Sequence, residues 1–152
     1  MQILWEYILV FLAAATPWLE AIVVIPIGII RGLNPVLVSV VGFVGNMLTV
    51  LLVVVFYEKF VEWRAHRREK KGIEEQPPTK RQERATRVWN KYGLPGLSIG
   101  GPLIIGTHLT ILMALALGAT KKAATWWMTA SLVAWILVFA AGTYYGFSWF
   151  RS

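Results

Sequence analysis

Hydrophobic positions fall into two long blocks along the 152-residue chain, separated by a polar segment. The apolar run of the first block breaks at Thr16-Pro17 and continues to Ile30, leaving arms too short for a membrane crossing, which takes about 20 residues. The residue before a proline is pushed out of the α region, so the break predicts a helical hairpin over residues 1–31. The alternatives are one kinked helix through residues 3–30 and a cleaved signal peptide, which is disfavoured because no basic segment precedes the apolar run.

Residues 36–57 are the clearest predicted span, because their apolar run would extend roughly 33 Å as a helix, enough to cross. Residues 58–71 lack a wide apolar stripe and are expected to continue that helix beyond the membrane. Thr79 and Gln82 stand at the spacing of a capping box, which predicts the start of a second polar helix.

The second block repeats the broken pattern over residues 90–119 and ends in a predicted span at residues 123–147. With Pro17 placed against Pro102, a broken hairpin followed by a span occurs twice. The residues expected to interrupt the two hairpins are Pro17, Pro26, Gly100, Gly101 and Pro102.

Eleven of the fifteen Lys and Arg residues lie in residues 58–91, and the net charge is +7. The positive-inside rule makes this loop cytoplasmic and disfavours nucleic acid as the partner. The span at 36–57 then runs inward, and two re-entrant hairpins place Lys121-Lys122 inside as well. The two units are therefore predicted to be oppositely oriented, as an inverted repeat.

The predicted fold is an all-α integral membrane protein that crosses the cell membrane more than once. It comprises a first membrane repeat at residues 1–57, a basic helical loop at 58–89 and a second membrane repeat at 90–152. A composition of 57% hydrophobic residues and a mean hydropathy of +0.58 agree with this class. A chain with so few spans is also compatible with a homo-oligomer.

Catalytic motifs are missing from the sequence. It has no HExxH, GxSxG or Walker A motif, no cysteine and only two histidines. We therefore expect no enzymatic activity, no cofactor and no metal site.

Glu20 is the first candidate site residue, because an ionisable group at bilayer depth costs about 3 kcal/mol and is usually functional. Burial favours the protonated form of a carboxyl group, so Glu20 is a candidate for proton coupling. The alternative is a carboxylate neutralised by Lys or Arg. Thr107 and His108 follow the second break, and His108 is either a partner of Glu20 in a proton relay or a packing residue.

Two further polar residues complete the candidate site. Asn46 either forms a hydrogen bond between helices or faces a substrate. Arg31 is either an anchor at the headgroup level or a group that binds an anion. Broken helical backbone at membrane depth lies in protein or around a cavity, and in transporters such segments mark the binding site.

Three segments carry a family resemblance: ATPWLEAIVVIPIGIIRGLNP, GFVGN and WNKYGLPGLSIGGPLIIGTHLT. They resemble the small multidrug export protein family, a relative of the DedA (VTT-domain) membrane proteins. The resemblance implies two re-entrant hairpins, with an acidic residue on the first, matched by Glu20, and arginines on the second, where this chain has Gly-Gly-Pro-Leu-Ile-Ile. The family name implies drug export, and the resemblance to the DedA proteins implies movement of lipid phosphates such as undecaprenyl phosphate and proton-dependent membrane homeostasis.

These observations predict a transporter or translocase for an amphipathic substrate, with membrane lipids and protons as its other partners. A small channel is the first rival, but the spans offer only a short polar stripe. A scaffold that acts through the basic loop is the second rival.

Overall fold

The computed structural model describes residues 2–17, 19–72 and 77–151, and the described chain is helical without strands. The described residues form six helices: α1 (Gln2–Ala14), α2 (Glu20–Ile30), α3 (Pro35–Lys71), α4 (Lys80–Ile104), α5 (Thr107–Ala116) and α6 (Lys121–Arg151). The prediction of an all-helical protein is confirmed.

Two of these helices are long and apolar enough to cross a membrane: α3 and, within α6, Lys121–Gly146. The side chain of Asn34 caps α3, since its Oδ1 accepts hydrogen bonds from the backbone N–H groups of Val36 (3.0 Å) and Leu37 (3.1 Å). Pro35 occupies the first helical position, where its missing donor costs nothing. As predicted, α3 continues through residues 58–71.

The helices form two compact units, described separately below. The first contains Met1–Val50 and Met128–Ser152, and the second contains Leu51–Trp127. The helices α3 and α6 each continue from one unit into the other. The division into repeats at residues 1–57 and 90–152, with a loop at 58–89, stays a prediction.

In the first unit, α1 and α2 fold back on each other. Glu6 Oε1 lies 3.5 Å from Arg31 Nη2, and the hydroxyl of Tyr7 accepts a hydrogen bond of 3.1 Å from the backbone N–H of Asn34. The start of α1 is thus beside the end of α2, which rules out one kinked helix over residues 3–30. Pro26 was expected to interrupt this segment, but α2 continues through it, and the break is in the link that contains Pro17.

In the second unit, α4 begins with the predicted capping box. Thr79 Oγ1 accepts from the backbone N–H of Gln82, and Gln82 Oε1 accepts from the backbone N–H of Thr79 at 2.8 Å. Gly93 then kinks the helix with φ 66° and ψ −158°, and the chain continues helically to Ile104.

The prediction of a break at Gly100-Gly101-Pro102 is wrong. The helix passes through these residues, and the N–H of Ile105 still donates to the carbonyl oxygen of Gly101 at 2.8 Å. The chain turns instead at Gly106, whose φ of 91° is in the left-handed region that favours glycine. Pro102 removes one donor and crowds the preceding turn of the helix, but its φ is fixed near −65°, whereas the turn needs a residue that tolerates positive φ.

The same junction follows α2 and α5. After α2, Gly32 has φ 91° and the N–H of Leu33 donates to the carbonyl of Gly28 at 3.0 Å. After α5, Gly118 has φ 102° and the N–H of Ala119 donates to the carbonyl of Ala114 at 3.0 Å. This is a Schellman-type helix end.

A capping residue then starts the next helix in both cases: Asn34 before α3, and Thr120 before α6, where Thr120 Oγ1 accepts from the N–H of Ala123 at 3.2 Å. The corresponding residues of the two junctions are separated by the same number of residues along the chain. At this separation Glu20 corresponds to Gly106 and Asn34 to Thr120. The separation is one residue longer than the one that matches Pro17 with Pro102.

Burial follows the same correspondence. The buried residues of α5 match buried residues of α2 one for one, and the only addition in α2 is Glu20, opposite Gly106. On the long helices, the buried positions of α6 match five buried positions of α3. The matched pairs are Val38 with Ala124, Gly42 with Met128, Gly45 with Ser131, Asn46 with Leu132, and Val50 with Ile136.

Candidate functional site

Glu20 lies at the turn of the first hairpin, as the first residue of α2. Glu20 is 7% exposed, and its carboxyl group is the only buried one among the described residues. Its φ of 29° is the only positive φ at a described non-glycine residue. Such backbone conformations cost of order 1–3 kcal/mol and cluster at functional sites.

The link before Glu20 is held by local hydrogen bonds. Thr16 Oγ1 donates to the carbonyl of Ala13 at 2.7 Å, and the backbone N–H of Thr16 donates to the same oxygen at 3.1 Å. The carbonyl of Thr16 in turn accepts from the N–H of Glu20 at 3.4 Å. These bonds fix the backbone from which the Glu20 side chain projects.

Asn46 is the second buried polar residue of this unit. It is fully buried, and neither Oδ1 nor Nδ2 of its side chain has a hydrogen-bond partner within the described part of the chain. An unsatisfied buried polar group costs about 1–3 kcal/mol. The Asn46 side chain thus has a donor and an acceptor that no described residue satisfies.

The register of α3 against the hairpin places Asn46 near the turn. A Cβ atom built on Gly28 would meet Val38, and one on Gly42 would meet Ile25 at 2.8 Å and Ala21 at 3.9 Å. Residue numbers thus rise along α3 as they fall along α2. Asn46 is one helical turn beyond Gly42, at the level of the link between α1 and α2.

Glycine allows the close packing of this region. A Cβ atom on Gly45 would come within 2.5 Å of the carbonyl oxygen of Phe11. The backbones of α1 and α3 therefore approach each other directly, and the residue next to Gly45 along the chain is Asn46. The small residues of the span serve this approach.

The second unit has buried polar residues of its own on α4 and α5. Thr107 and Thr110 are fully buried, His108 is 6% exposed, and Ser98 on α4 is fully buried. Thr110 Oγ1 donates to the carbonyl of Gly106 at 2.6 Å. The Thr110 side chain also occupies the space that a Cβ atom on Gly101 would need.

The structure thus assigns the five predicted site residues to two units. Glu20, Arg31 and Asn46 belong to the first, and Thr107 and His108 to the second. A relay between Glu20 and His108 stays a prediction. Arg31 lies apart from Glu20, at the other end of α2, where its side chain is 65% exposed and pairs with Glu6.

No group of three or more His, Cys, Asp or Glu side chains able to hold a metal occurs in the parts of the chain that the structure describes. The candidate residues are a carboxyl group and an amide in the first unit, and hydroxyl groups and an imidazole in the second. These groups can carry protons and form hydrogen bonds.

A family model described as "Putative small multi-drug export protein" matches residues 20–138. The chain belongs to this family. The matched region begins at Glu20 and covers the corresponding helices, α2 and α3 in the first segment and α5 and most of α6 in the second. It therefore includes all five predicted site residues. No curated protein and no solved structure matches this chain.

Some features of this family member were missed in the sequence. Glu6 gave no signal as the partner of Arg31, because 25 residues separate them. Ser98 was visible as the one hydroxyl group in an apolar run, and Gly106 as a glycine just before a polar pair. The more prominent Gly-Gly-Pro predicts the turn at a different place.

Proposed function

We propose that this protein is a proton-coupled secondary transporter of an amphipathic substrate. The family name indicates a small multidrug export protein, which is a transport role. The observation that carries the finer proposal is the pair of buried polar residues, Glu20 and Asn46, at the turn of a hairpin whose helices are too short to cross a bilayer.

The helix lengths support a site at the bilayer midplane. With Arg31 at the headgroup level, just after the 11 residues of α2, Glu20 lies about 17 Å deeper. Asn46 is about 17 Å along α3 from Pro35 by the same rise per residue. Half of a hydrocarbon core of about 30 Å is the same depth, so we propose that the hairpin is re-entrant.

The second hairpin has the same proportions. Along α5, Thr107 lies about 17 Å and His108 about 15 Å from the junction at Gly118. Glu58 and Lys121 form an ion pair of 3.0 Å, so the exit of α3 from the membrane and the entry of α6 are at one level. This supports our proposal of an inverted repeat, with residues 58–91 and Lys121 in the cytoplasm.

The corresponding positions argue for function rather than packing. Where the first segment has Glu20 and Asn46, the second has Gly106 and the fully buried Leu132. The fold therefore accepts residues without a charge or an amide at these positions. Burying a polar group in a membrane interior costs free energy, and such groups typically line substrate or ion pathways.

The proposed mechanism assigns one role to each residue. Glu20 takes up a proton from one side of the membrane and releases it to the other, and its charge state alters the site. The Asn46 amide, which donates and accepts, binds the polar part of the substrate. The apolar part contacts the surrounding helices. A hydrophobic drug and a lipid phosphate both have this division.

Transport in proteoliposomes tests the proposal. Tetraphenylphosphonium and a fluorescent polyprenyl phosphate serve as probes, and an enclosed pH-sensitive dye reports proton movement. We expect Glu20→Gln to abolish proton-coupled transport while the folded yield stays constant, because glutamine cannot carry the proton. Glu62→Gln is the control, since Glu62 is exposed on the polar end of α3. Unchanged transport with Glu20→Gln would disprove the role of Glu20.

A further inference from the structure

The first half of α4, residues 80–92, has a row of cations along one side. Lys80, Arg84, Arg87 and Lys91 are all exposed. Because an α-helix turns about 100° per residue, these four side chains lie within about 60° of one another around the axis. We call these four residues the basic stripe.

Packing fixes the orientation of this half-helix. Ala85 is 3% exposed, and together with Val88 it surrounds a small cavity shared with Leu97 and Gly101 from the second half of α4. The kink at Gly93 folds the two halves together. The basic stripe is therefore roughly 100° around the helix from the packed side, and points sideways from the unit.

An aromatic residue accompanies the stripe. Tyr92 is 59% exposed, and Lys91 Nζ lies 5.1 Å from the centre of its ring. Directly after it the chain enters the apolar segment of the second hairpin. A helix with cations, an exposed tyrosine and a buried apolar side is typical of the membrane interface.

The charge pattern differs from that of the polar end of α3. Residues 58–71 alternate six cations with three carboxylates, whereas residues 80–92 contain five cations and Glu83 as the single acid. The four cations follow one another at spacings of four, three and four residues, and Glu83 lies beside the stripe, three residues after Lys80 and four before Arg87. Such a surface complements closely spaced phosphates.

We propose that the basic stripe docks on the phosphate groups of anionic lipids. Each Lys or Arg near an anionic membrane surface contributes to such binding, and neighbouring cations act together. The inference rests on the membrane placement proposed above and not on transport. It is tested without a transport assay, so the two proposals can fail separately.

The test measures lipid retained by the full-length protein. The protein is reconstituted in phosphatidylcholine and phosphatidylglycerol, extracted in a nonionic detergent, and its bound lipids are counted by mass spectrometry. We expect enrichment of phosphatidylglycerol that falls about tenfold or more when Lys80, Arg84, Arg87 and Lys91 are all changed to Gln.

The control removes the same number of charges elsewhere, by changing Lys59, Arg64, Lys70 and Lys71 to Gln on the polar end of α3. This variant should keep the enrichment. Equal losses in both variants would show an effect of net charge alone and overturn the proposal, as would an unchanged ratio in the stripe variant. If the stripe variant does not fold, the wild type decides: its enrichment must fall with added salt, and a salt-independent ratio overturns the proposal.

Discussion

Glu6 Oε1 and Arg31 Nη2 lie 3.5 Å apart although a whole hairpin separates them along the chain. This ion pair closes the open end of the hairpin formed by α1 and α2. The Glu6 and Arg31 side chains therefore lie at the same end of the hairpin, and Glu20 lies at the opposite end of α2. The pair is partly exposed, and exposed pairs contribute only about 0–1 kcal/mol, so its value is as a marker of geometry.

The hairpin predicts the membrane topology. Single cysteines at Gln2 and Val36, in this cysteine-free chain, should both react with an impermeant maleimide added to intact cells. Cysteines at Lys80 and Lys122 should be protected until the cells are opened, because the basic loop is proposed to be cytoplasmic. Opposite accessibility at Gln2 and Val36 would contradict the re-entrant hairpin.

The contact of Gly45 with the Phe11 carbonyl predicts a sensitive position. Gly45→Ala should lower the free energy of unfolding by about 1–3 kcal/mol, because the added Cβ meets backbone that cannot rotate away. Gly142→Ala is the matched control. Its Cβ would have no neighbour within 4 Å, and alanine should stabilise that helix by up to about 1 kcal/mol. Unfolding by SDS titration measures both, and equal effects would refute the close approach.

The positive φ of Glu20 predicts that the glycine variant is more stable than the alanine variant at this position, the reverse of their usual order inside a helix. Both Glu20→Gly and Glu20→Ala remove the carboxyl group, so their difference isolates the backbone. Glycine should be more stable than alanine by about 1 kcal/mol at this position, because it accepts φ above zero without strain. At Glu58, inside α3, alanine should be the more stable by a similar amount. The same SDS titration checks the order, and a preference for alanine at position 20 would contradict it.

Local sequence signals predicted most of the helices. The capping box at Thr79, the proline that starts α3 and the link at Pro17 are determined by neighbouring residues, so the sequence alone reveals them. The second turn was misplaced because Gly-Gly-Pro is a stronger local breaker than a single glycine. Helical hydrogen bonds nevertheless continue across Pro102, and Gly101 is needed for contact with Thr110 rather than for a turn.

The candidate site was predicted only in part. Glu20 and Asn46 stood out as polar residues in apolar runs, which sequence shows directly. The pairing of Glu6 with Arg31, and the match of Asn46 with Leu132, depend on the register of packed helices. That register follows from contacts distant in sequence, which no local pattern contains.

Asn46→Leu should separate stability from function. The corresponding residue of the second segment is Leu132, which is fully buried, so the fold accepts leucine in this environment. The change also removes two buried polar atoms that have no partner among the described residues. We therefore expect the free energy of unfolding to stay equal or rise by about 1–3 kcal/mol, while transport of the proteoliposome probes falls at least tenfold. Thr49→Val, one turn along the same helix, is the control that should keep transport. A variant with Asn46→Leu that is more stable and fully active would show that the amide has no role in binding the substrate.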